Sequence, residues 1–456
     1  MNSPSQTHQP VREVTAADVD AAAARLSGVA DRTPLQRDRR LSAQFGVELY
    51  LKREDLQVVR SYKLRGAYNL MSQLSHEEKA AGVVTASAGN HAQGVAYACH
   101  AMGVFGRIYV PNTTPRQKRD RIRAHGGDFI ELISTGDNYD AAAHAAHADA
   151  DQTGATLVPS FNDPRTAAGQ GTIAKEILEQ LAACGAAAFP DVVVVPVGGG
   201  GCVAGIAAYL AERSAQTAVL AVEPAGAACL AAALVAGAPV TLPAIDPFVD
   251  GAAVRRVGDV AHRVLSALGA KTRAAPNTPL LMSGADSQRA ELSPGSIVVT
   301  QVDEGALCTT ILDLYQNGGI IAEPAGALAV AALDQVRLPA GATVVSLISG
   351  GNNDVSRYGE ILERSLVHKG LKHYFLVDFP QEPGALRRFL EQVLGAEDDI
   401  TVFEYIKRDN RELGAALVGI ELGQAADLGP LMERMDRSGL SCERLLPGTA
   451  AYRYLT

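Results

Sequence analysis

The sequence predicts an α/β protein built on open, mainly parallel sheets, with a separate α+β domain at its C-terminal end. Three observations carry that expectation. Apolar strands run straight into glycine-bearing turns at 82–94, 191–201 and 343–352. Strands and helices alternate along most of the chain, the pattern of a parallel sheet with crossover helices. From Leu371 onward the order becomes βαββαβ, a ferredoxin-like unit.

Composition bounds the possibilities. At 456 residues two or three domains are expected. Hydrophobic content of 47% and charged content of 20% are those of an ordinary globular protein. A net charge of −9 argues against nucleic acid as partner. The local basic run Arg116, Lys118, Arg119, Arg121 and Arg123 reads as a solvated helix face after Pro115. Six cysteines without CxxC spacing indicate neither zinc nor a disulfide framework, and reduced thiols fit a cytoplasmic protein. The N-terminus has no apolar signal core, and the alanine-rich stretch 225–236 is too short to span a bilayer, so no membrane partner is expected.

Residues 1–14 read as a disordered arm, followed by a helix from Thr15 to Leu26. Val47–Lys52 alternates as a strand and delivers the chain to Arg60-Ser61-Tyr62-Lys63-Leu64-Arg65-Gly66-Ala67. Leu64, Ala67, Tyr68, Met71 and Leu74 then share one helical face, with Ser61 as N-cap. Lys63 would lie in the first turn, where the helix dipole disfavours a cation by ~0.3–1 kcal/mol. Such a site favours the neutral amine that attacks carbonyls.

The strand Gly82–Ala86 enters Ser87-Ala88-Gly89-Asn90-His91-Ala92-Gln93 and then a helix of small residues from Val95 to Met102. That geometry offers N–H groups to an anion, with Ser87 and Asn90 adding side-chain donors. Further strands are expected at 103–110 and 127–133. His144 and His147 lie one helical turn apart but lack a third ligand nearby, so a solvated helix is expected and no metal.

Asp191–Val197 is a buried-type strand followed by Gly198, Gly199, Gly200 and Gly201, with a helix beginning near Cys202. Successive N–H groups in such a turn can converge on a phosphate. The stretch has neither a Walker Gly-Lys-Ser/Thr nor GxGxxG with its ribose-binding acid, so the phosphate belongs to something smaller than a dinucleotide. The strand Thr343–Ile348 ends in Ser349-Gly350-Gly351-Asn352. Ligands of open parallel sheets bind off the carboxyl ends of strands, where these loops would meet. Glu323-Pro324 could lie near them or simply start a helix. A reactive amine, a phosphate cradle and polar strand ends suit pyridoxal 5′-phosphate, an aldehyde cofactor bearing a phosphate.

On these motifs the chain, from about residue 15 to its end, resembles the fold-type II pyridoxal-phosphate enzymes, and among them biosynthetic threonine dehydratase (threonine ammonia-lyase). The resemblance implies two open, mainly parallel lobes in the manner of the tryptophan synthase β-subunit. A small lobe, roughly 66–160, would be inserted in the large one within a catalytic domain of 15–369. It implies that Lys63 carries the cofactor as a Schiff base and serves as base at the substrate Cα. Gly198, Gly199, Gly200, Gly201 and Cys202 would wrap the phosphate, Asn90 the ring hydroxyl, and Ser349 the ring nitrogen. Ser87, Ala88, Gly89, Asn90 and His91 would bind the substrate carboxylate. A serine at the ring nitrogen cannot hold the charge that full delocalisation requires, which favours loss of a β-hydroxyl over racemisation. Ala88 stands where related serine racemases place a second serine as acid/base, and alanine moves no proton. The expected reaction is L-threonine to 2-oxobutanoate and ammonia, in isoleucine biosynthesis. L-serine is a side substrate, because one methyl group discriminates by only ~1–3 kcal/mol. Related enzymes place a cation near a loop like Val222-Glu223-Pro224, but no further carboxylates accompany Glu223 here.

In the region 370–456, Phe375–Phe379 reads as a strand ending at Pro380. A helix with Leu386, Phe389, Leu390, Val393 and Leu394 on one face follows. Strands at 400–406 and 415–422, a helix at 427–438 and a strand at 441–446 complete the unit. It resembles the ACT-like regulatory domain of biosynthetic threonine dehydratases, which implies isoleucine as inhibitor, valine as activator, and a homo-oligomer, dimer or tetramer. The alternatives are a catabolic serine/threonine dehydratase, or an amino-acid sensor on a dead catalytic fold.

Overall fold

The computed structural model describes residues 14–273, 290–405, 412–446, 449 and 452. Apart from Val14, which is buried, the expected N-terminal arm lies outside them. The chain forms two compact units, 1–304 with 314–353, and 305–313 with 354–456. The expected boundary at 369/370 falls just before the strand Lys372–Pro380.

The first unit contains two main sheets. The larger runs in the spatial order Leu35–Arg37, Glu48–Arg53, Thr343–Ile348, Val192–Pro196, Ala218–Pro224, Ile297–Val302, Lys271–Thr272. All its pairings are parallel except that of Leu35–Arg37 with Glu48–Arg53. The smaller sheet, Ile130–Ser134, Gly106–Val110, Val83–Ala86, Thr156–Leu157, is wholly parallel. Its strands lie between stretches that build the larger sheet. Central strands such as Val192–Pro196 are apolar throughout because helices cover both faces of a parallel sheet.

Local chemistry sets the element ends, and several differ from the sequence expectation. The helix at Lys63 runs Lys63–Ser72 with Tyr62, not Ser61, at its N-cap. Ser61 instead bridges to Gly350, and its buried hydroxyl makes no cap hydrogen bond. The strand expected from Gly127 begins at Ile130, after a 3-10 turn at Gly127–Phe129. The helix after the first glycine loop starts at Asn90.

The helix Pro164–Cys184, which strand-and-motif reading did not mark, organises the interior. Asp163 caps it by accepting from Arg165 N–H, and Pro164 opens it where a missing N–H costs nothing. It packs against both Lys63–Ser72 and Gly201–Arg213. Contact is at backbone distance: a Cβ on Gly66 would stand 2.8 Å from Thr166 O, one on Gly171 2.8 Å from Gly205 O, and one on Gly205 would overlap Ala167 O. The helices bearing the lysine and the glycine run are thus registered against one shared helix. Next to the lysine, Arg65 is buried between Glu54 at 2.8 Å and Glu176 at 2.6 Å, and Lys52 joins Glu176 at 2.6 Å. Burial opposes the ionised form of Glu54, but Arg65 and Lys52 hold its carboxyl below the usual range.

The second unit contains an antiparallel sheet in the order Asp399–Tyr405, Leu413–Glu421, Lys372–Pro380, Ser441–Leu445. Helices Ala385–Gln392 and Leu428–Ser438 pack on it around Phe375, Phe379, Phe389, Val418, Leu431 and Met435. The elements follow the βαββαβ order. The expected inner helix face is narrower than its spacing implied. Phe389 and Val393 are buried, whereas Leu386 and Leu390 are exposed at its flank. The expected strand end at Ile406 lies outside the described residues.

Candidate active site

The three glycine-bearing junctions of the first unit open on one cavity of about 630 Å³, lined by Lys63, 87–91, Gly198–Cys202, Glu323 and Asn352. Lys63 Nζ donates to Ser160 O at 3.2 Å. Burial lowers the ammonium pKa to about 8, so the neutral amine is accessible near physiological pH. Withdrawal from water, rather than the helix dipole, is the main cause.

The glycine run ends the strand Val192–Pro196 and starts the helix Gly201–Arg213. Gly200 has φ +86°, a left-handed conformation that favours glycine. A Cβ on Gly199 would overlap the Phe161 ring, and one on Gly201 would stand 2.9 Å from Phe161 O. Phe161 thus walls one side of the turn. No acceptor among the described residues takes the N–H groups of Gly199, Gly200 or Gly201. Donors bunched at a helix N-terminus without partners suit a phosphate dianion, so the residues present fit the phosphate end of pyridoxal phosphate. Cys202 is buried beside Lys63, and burial pushes its thiol up to about 12.

In the 87–91 loop, Ser87 Oγ accepts from Gly89 N–H at 3.2 Å. Asn90 Nδ2 donates to Glu323 Oε1 at 2.5 Å, while Asn90 Oδ1 accepts from Asn352 Nδ2 at 2.7 Å. His91 Nε2 donates to Val158 O at 2.9 Å, and burial holds its pKa at about 3, a neutral ring at any working pH. Ser349 is buried, and its Oγ donates to Ala325 O at 3.1 Å. It is not among the residues that line the cavity.

Sequence reading left Glu323 undecided between helix start and site, and it is both. It stands at the N-cap position of the helix Pro324–Ala331 without a side-chain cap bond and lines the cavity, with its carboxyl pushed up to about 7 by burial. Part of the basic run needs correcting. Lys118 and Arg121 line the cavity, Lys118 pairing with Asp250 at 2.5 Å and Arg121 donating to Asn352 Oδ1 at 3.1 Å. Only the folded chain reveals this, because both partners are more than 100 residues away. Glu223 accepts from the N–H groups of Leu230 and Ala231 at 2.6 and 2.9 Å. Among the described residues no three His, Cys, Asp or Glu side chains group as metal ligands, and no helix is long and apolar enough to cross a membrane.

Comparison with known proteins agrees with this geometry. Residues 26–350 match the family described as pyridoxal-phosphate dependent enzyme, and residues 363–455 match the C-terminal regulatory domain of threonine dehydratase. The chain is 62% identical over 453 residues to the biosynthetic L-threonine dehydratase of Mycobacterium tuberculosis, covering 99% of each chain. It is 55% identical over 443 residues to that of Corynebacterium glutamicum, covering 97% of this chain and 95% of the relative. Among solved structures, the processed form of threonine deaminase isoform 2 from Solanum lycopersicum superposes with a TM-score of 0.65 at 33% identity, over 80% of this chain and 99% of that one. The chain therefore belongs to the biosynthetic L-threonine dehydratases, fold-type II pyridoxal-phosphate enzymes with a C-terminal regulatory domain.

Proposed function

We propose that the cavity converts L-threonine to 2-oxobutanoate and ammonia by β-elimination, with Lys63 as cofactor anchor and proton carrier. Bound pyridoxal phosphate supplies an electron-withdrawing ring that acidifies the threonine Cα–H. Gly199, Gly200 and Gly201 would hold the phosphate through their N–H groups, with Gly198 and Cys202 completing the turn. Asn90 Nδ2 would donate its second hydrogen to the ring oxygen. Ser349 Oγ, which donates to Ala325 O, would have to turn from that carbonyl to meet the ring nitrogen, and as an uncharged group would supply no anion to keep it protonated. The Ser87–His91 loop would receive the substrate carboxylate through the N–H groups of Ala88, Asn90 and His91 and the Ser87 hydroxyl, the Ser87 N–H being given to Tyr109 O and that of Gly89 to Ser87 Oγ. Lys63 Nζ takes the Cα proton, a role its lowered pKa suits, since a base works best near the operating pH. Ala88 offers no second acid/base on the opposite face, so the proton has no route back from that side. L-serine lacks only a methyl group and is turned over as a side substrate. One observation carries this reading: the Lys63 amine, the bare N–H groups and the 87–91 loop share a single cavity. The test is keto-acid formation from L-threonine and L-serine, with Lys63→Ala as control.

The second unit serves feedback control by isoleucine, with valine as the opposing effector. Supporting this is a cavity of about 430 Å³ at the sheet's edge strand, with Phe379, Leu386, Leu390, Phe403 and Tyr405 as an apolar wall and Gln381, Glu382 and Arg387 as polar lining. Its size and lining suit a branched aliphatic side chain. A homo-oligomer in the cytoplasm completes the reading. Isoleucine binding to the full chain and to a Phe403→Ala variant tests the regulatory part; equal binding by both would remove it.

A further inference from the structure

The Asn90 amide is held at both ends. Its Nδ2 donates to Glu323 Oε1 at 2.5 Å, and its Oδ1 accepts from Asn352 Nδ2 at 2.7 Å. Asn352 is itself fixed, since its Nδ2 also donates to Val59 O at 2.9 Å and its Oδ1 accepts from Arg121 at 3.1 Å. Glu323 is equally constrained: its N–H donates to Gly350 O at 3.1 Å, and its carboxylate accepts from the Asn352 backbone N–H. The site is built around bare backbone at Gly350, where a Cβ would overlap the Glu323 carboxylate and stand 3.3 Å from Asn90 Nδ2.

This network selects one of two orientations of the Asn90 side chain. Turning the amide over would set its oxygen against the Glu323 carboxylate and its NH2 against that of Asn352, losing both bonds. In the orientation present, one Nδ2 hydrogen goes to Glu323, and the other has no acceptor among the described residues although Asn90 lines the cavity. A carboxyl group as buried as that of Glu323 is costly without a task, and an apolar side chain would pack there more cheaply. Charges of both signs face it: Asp250 disfavours its ionised form and Lys118 favours it.

We infer that Glu323 is a positioning residue, whose carboxylate locks the Asn90 amide so that its remaining Nδ2 hydrogen is presented to the oxygen substituent of the cofactor ring. The inference rests on the role proposed above for Asn90. It assigns Glu323 no proton transfer and no contact with the substrate.

The test compares the holoenzyme with Glu323→Ala, Glu323→Gln, Asn90→Ala and the double variant Asn90→Ala/Glu323→Ala. It reads the cofactor absorption spectrum, the cofactor dissociation constant, and kcat and KM for threonine. Glu323→Ala is expected to shift the spectrum and weaken cofactor binding about tenfold, the scale of one hydrogen bond to a charged group. Loss is expected in kcat more than in KM. Glutamine offers an amide oxygen to the same Nδ2–H, and is expected to restore spectrum and affinity to within about threefold of wild type. In the Asn90→Ala background, Glu323→Ala should add nothing further. A wild-type spectrum and affinity in Glu323→Ala would overturn the inference, as would glutamine as damaging as alanine, or simple additivity in the double variant. Should alanine fail to fold, Glu323→Met, closer in volume, takes its place with the same expectations. An unaltered spectrum in Asn90→Ala would sink the proposed role of Asn90 itself. A shift there with none in Glu323→Ala would remove Glu323 alone.

Discussion

Gly169 approaches the backbone of Arg65 so closely that a Cβ would stand 2.6 Å from the Arg65 carbonyl oxygen. This contact seats the helix Lys63–Ser72 on the helix Pro164–Cys184, and the same long helix meets Gly201–Arg213 through Gly205. Lysine and phosphate cradle are thereby referred to one rigid element. Sites held on packed helices keep the sub-ångström placement that catalysis needs.

Substitution at this seam should therefore damage fold and site together. Gly205→Val, forced onto Ala167 O, is expected to destabilise the protein by about 3 kcal/mol or more, the upper end for overpacking. Thermal unfolding with and without cofactor measures it. Unchanged melting temperatures would mean that the helices can slide apart freely.

At the cradle, a side chain has nowhere to go. Gly199→Ala overlaps the Phe161 ring, and relief requires moving either the ring or the turn. The variant should weaken cofactor binding by about 2 kcal/mol, roughly thirtyfold, while a far surface glycine such as Gly154, with open space around it, has no such effect on replacement. Cofactor titration of the apoprotein reads both.

The Lys63 ammonium predicts a pH dependence with a definite sign. Its folded pKa, about 8, lies below the ordinary value of 10.5, so between these values the unfolded chain binds more protons. Stability of the cofactor-free protein should accordingly rise with pH across that window. A Lys63→Met apoprotein should lack this increment. Parallel stability curves for the two, measured by denaturant unfolding from pH 7 to 10, would contradict the assignment.

His91 gives the matching case on the acid side. Its pKa is about 3 in the fold against 6.5 free, so the fold excludes a proton that the unfolded chain accepts. Stability from this residue is full above 6.5 and lost as pH falls towards 3. His91→Gln, if it keeps the bond to Val158 O, should flatten the acid limb of the stability curve; an unaltered limb would argue against a buried neutral ring.

How legible the site was depended on whether its parts were local. Lys63, the run Gly198–Gly201 and the 87–91 loop announced themselves, because a strand, a turn without side chains and a helix start are contiguous in sequence. The parallel-sheet rule places Lys63 and the glycine run at one edge of the larger sheet, whereas the 87–91 loop leaves a strand of the smaller sheet and meets them only because the two sheets share the cavity. The remainder depends on distant pairings. Phe161 became a wall of the cradle, and Lys118 and Arg121 became lining groups, only through partners that no periodicity reveals. Ser61 looked like a cap until its backbone was claimed by Gly350. The small-residue stretch Thr166–Ala174 has weak hydrophobic signal because close helix approach needs glycine and alanine, which carry little apolar surface. In the second unit the element order was readable, but not the tilt that leaves Leu386 and Leu390 beside a cavity.

The central claim is that this cavity eliminates water from threonine by way of Lys63. Its most direct test is 2-oxobutanoate released from L-threonine by the cofactor-loaded protein and by its Lys63→Ala counterpart, each matched for folding by circular dichroism. The account predicts steady release from the first and none above background from the second. Undiminished release from Lys63→Ala, or none from the loaded wild type, would contradict it.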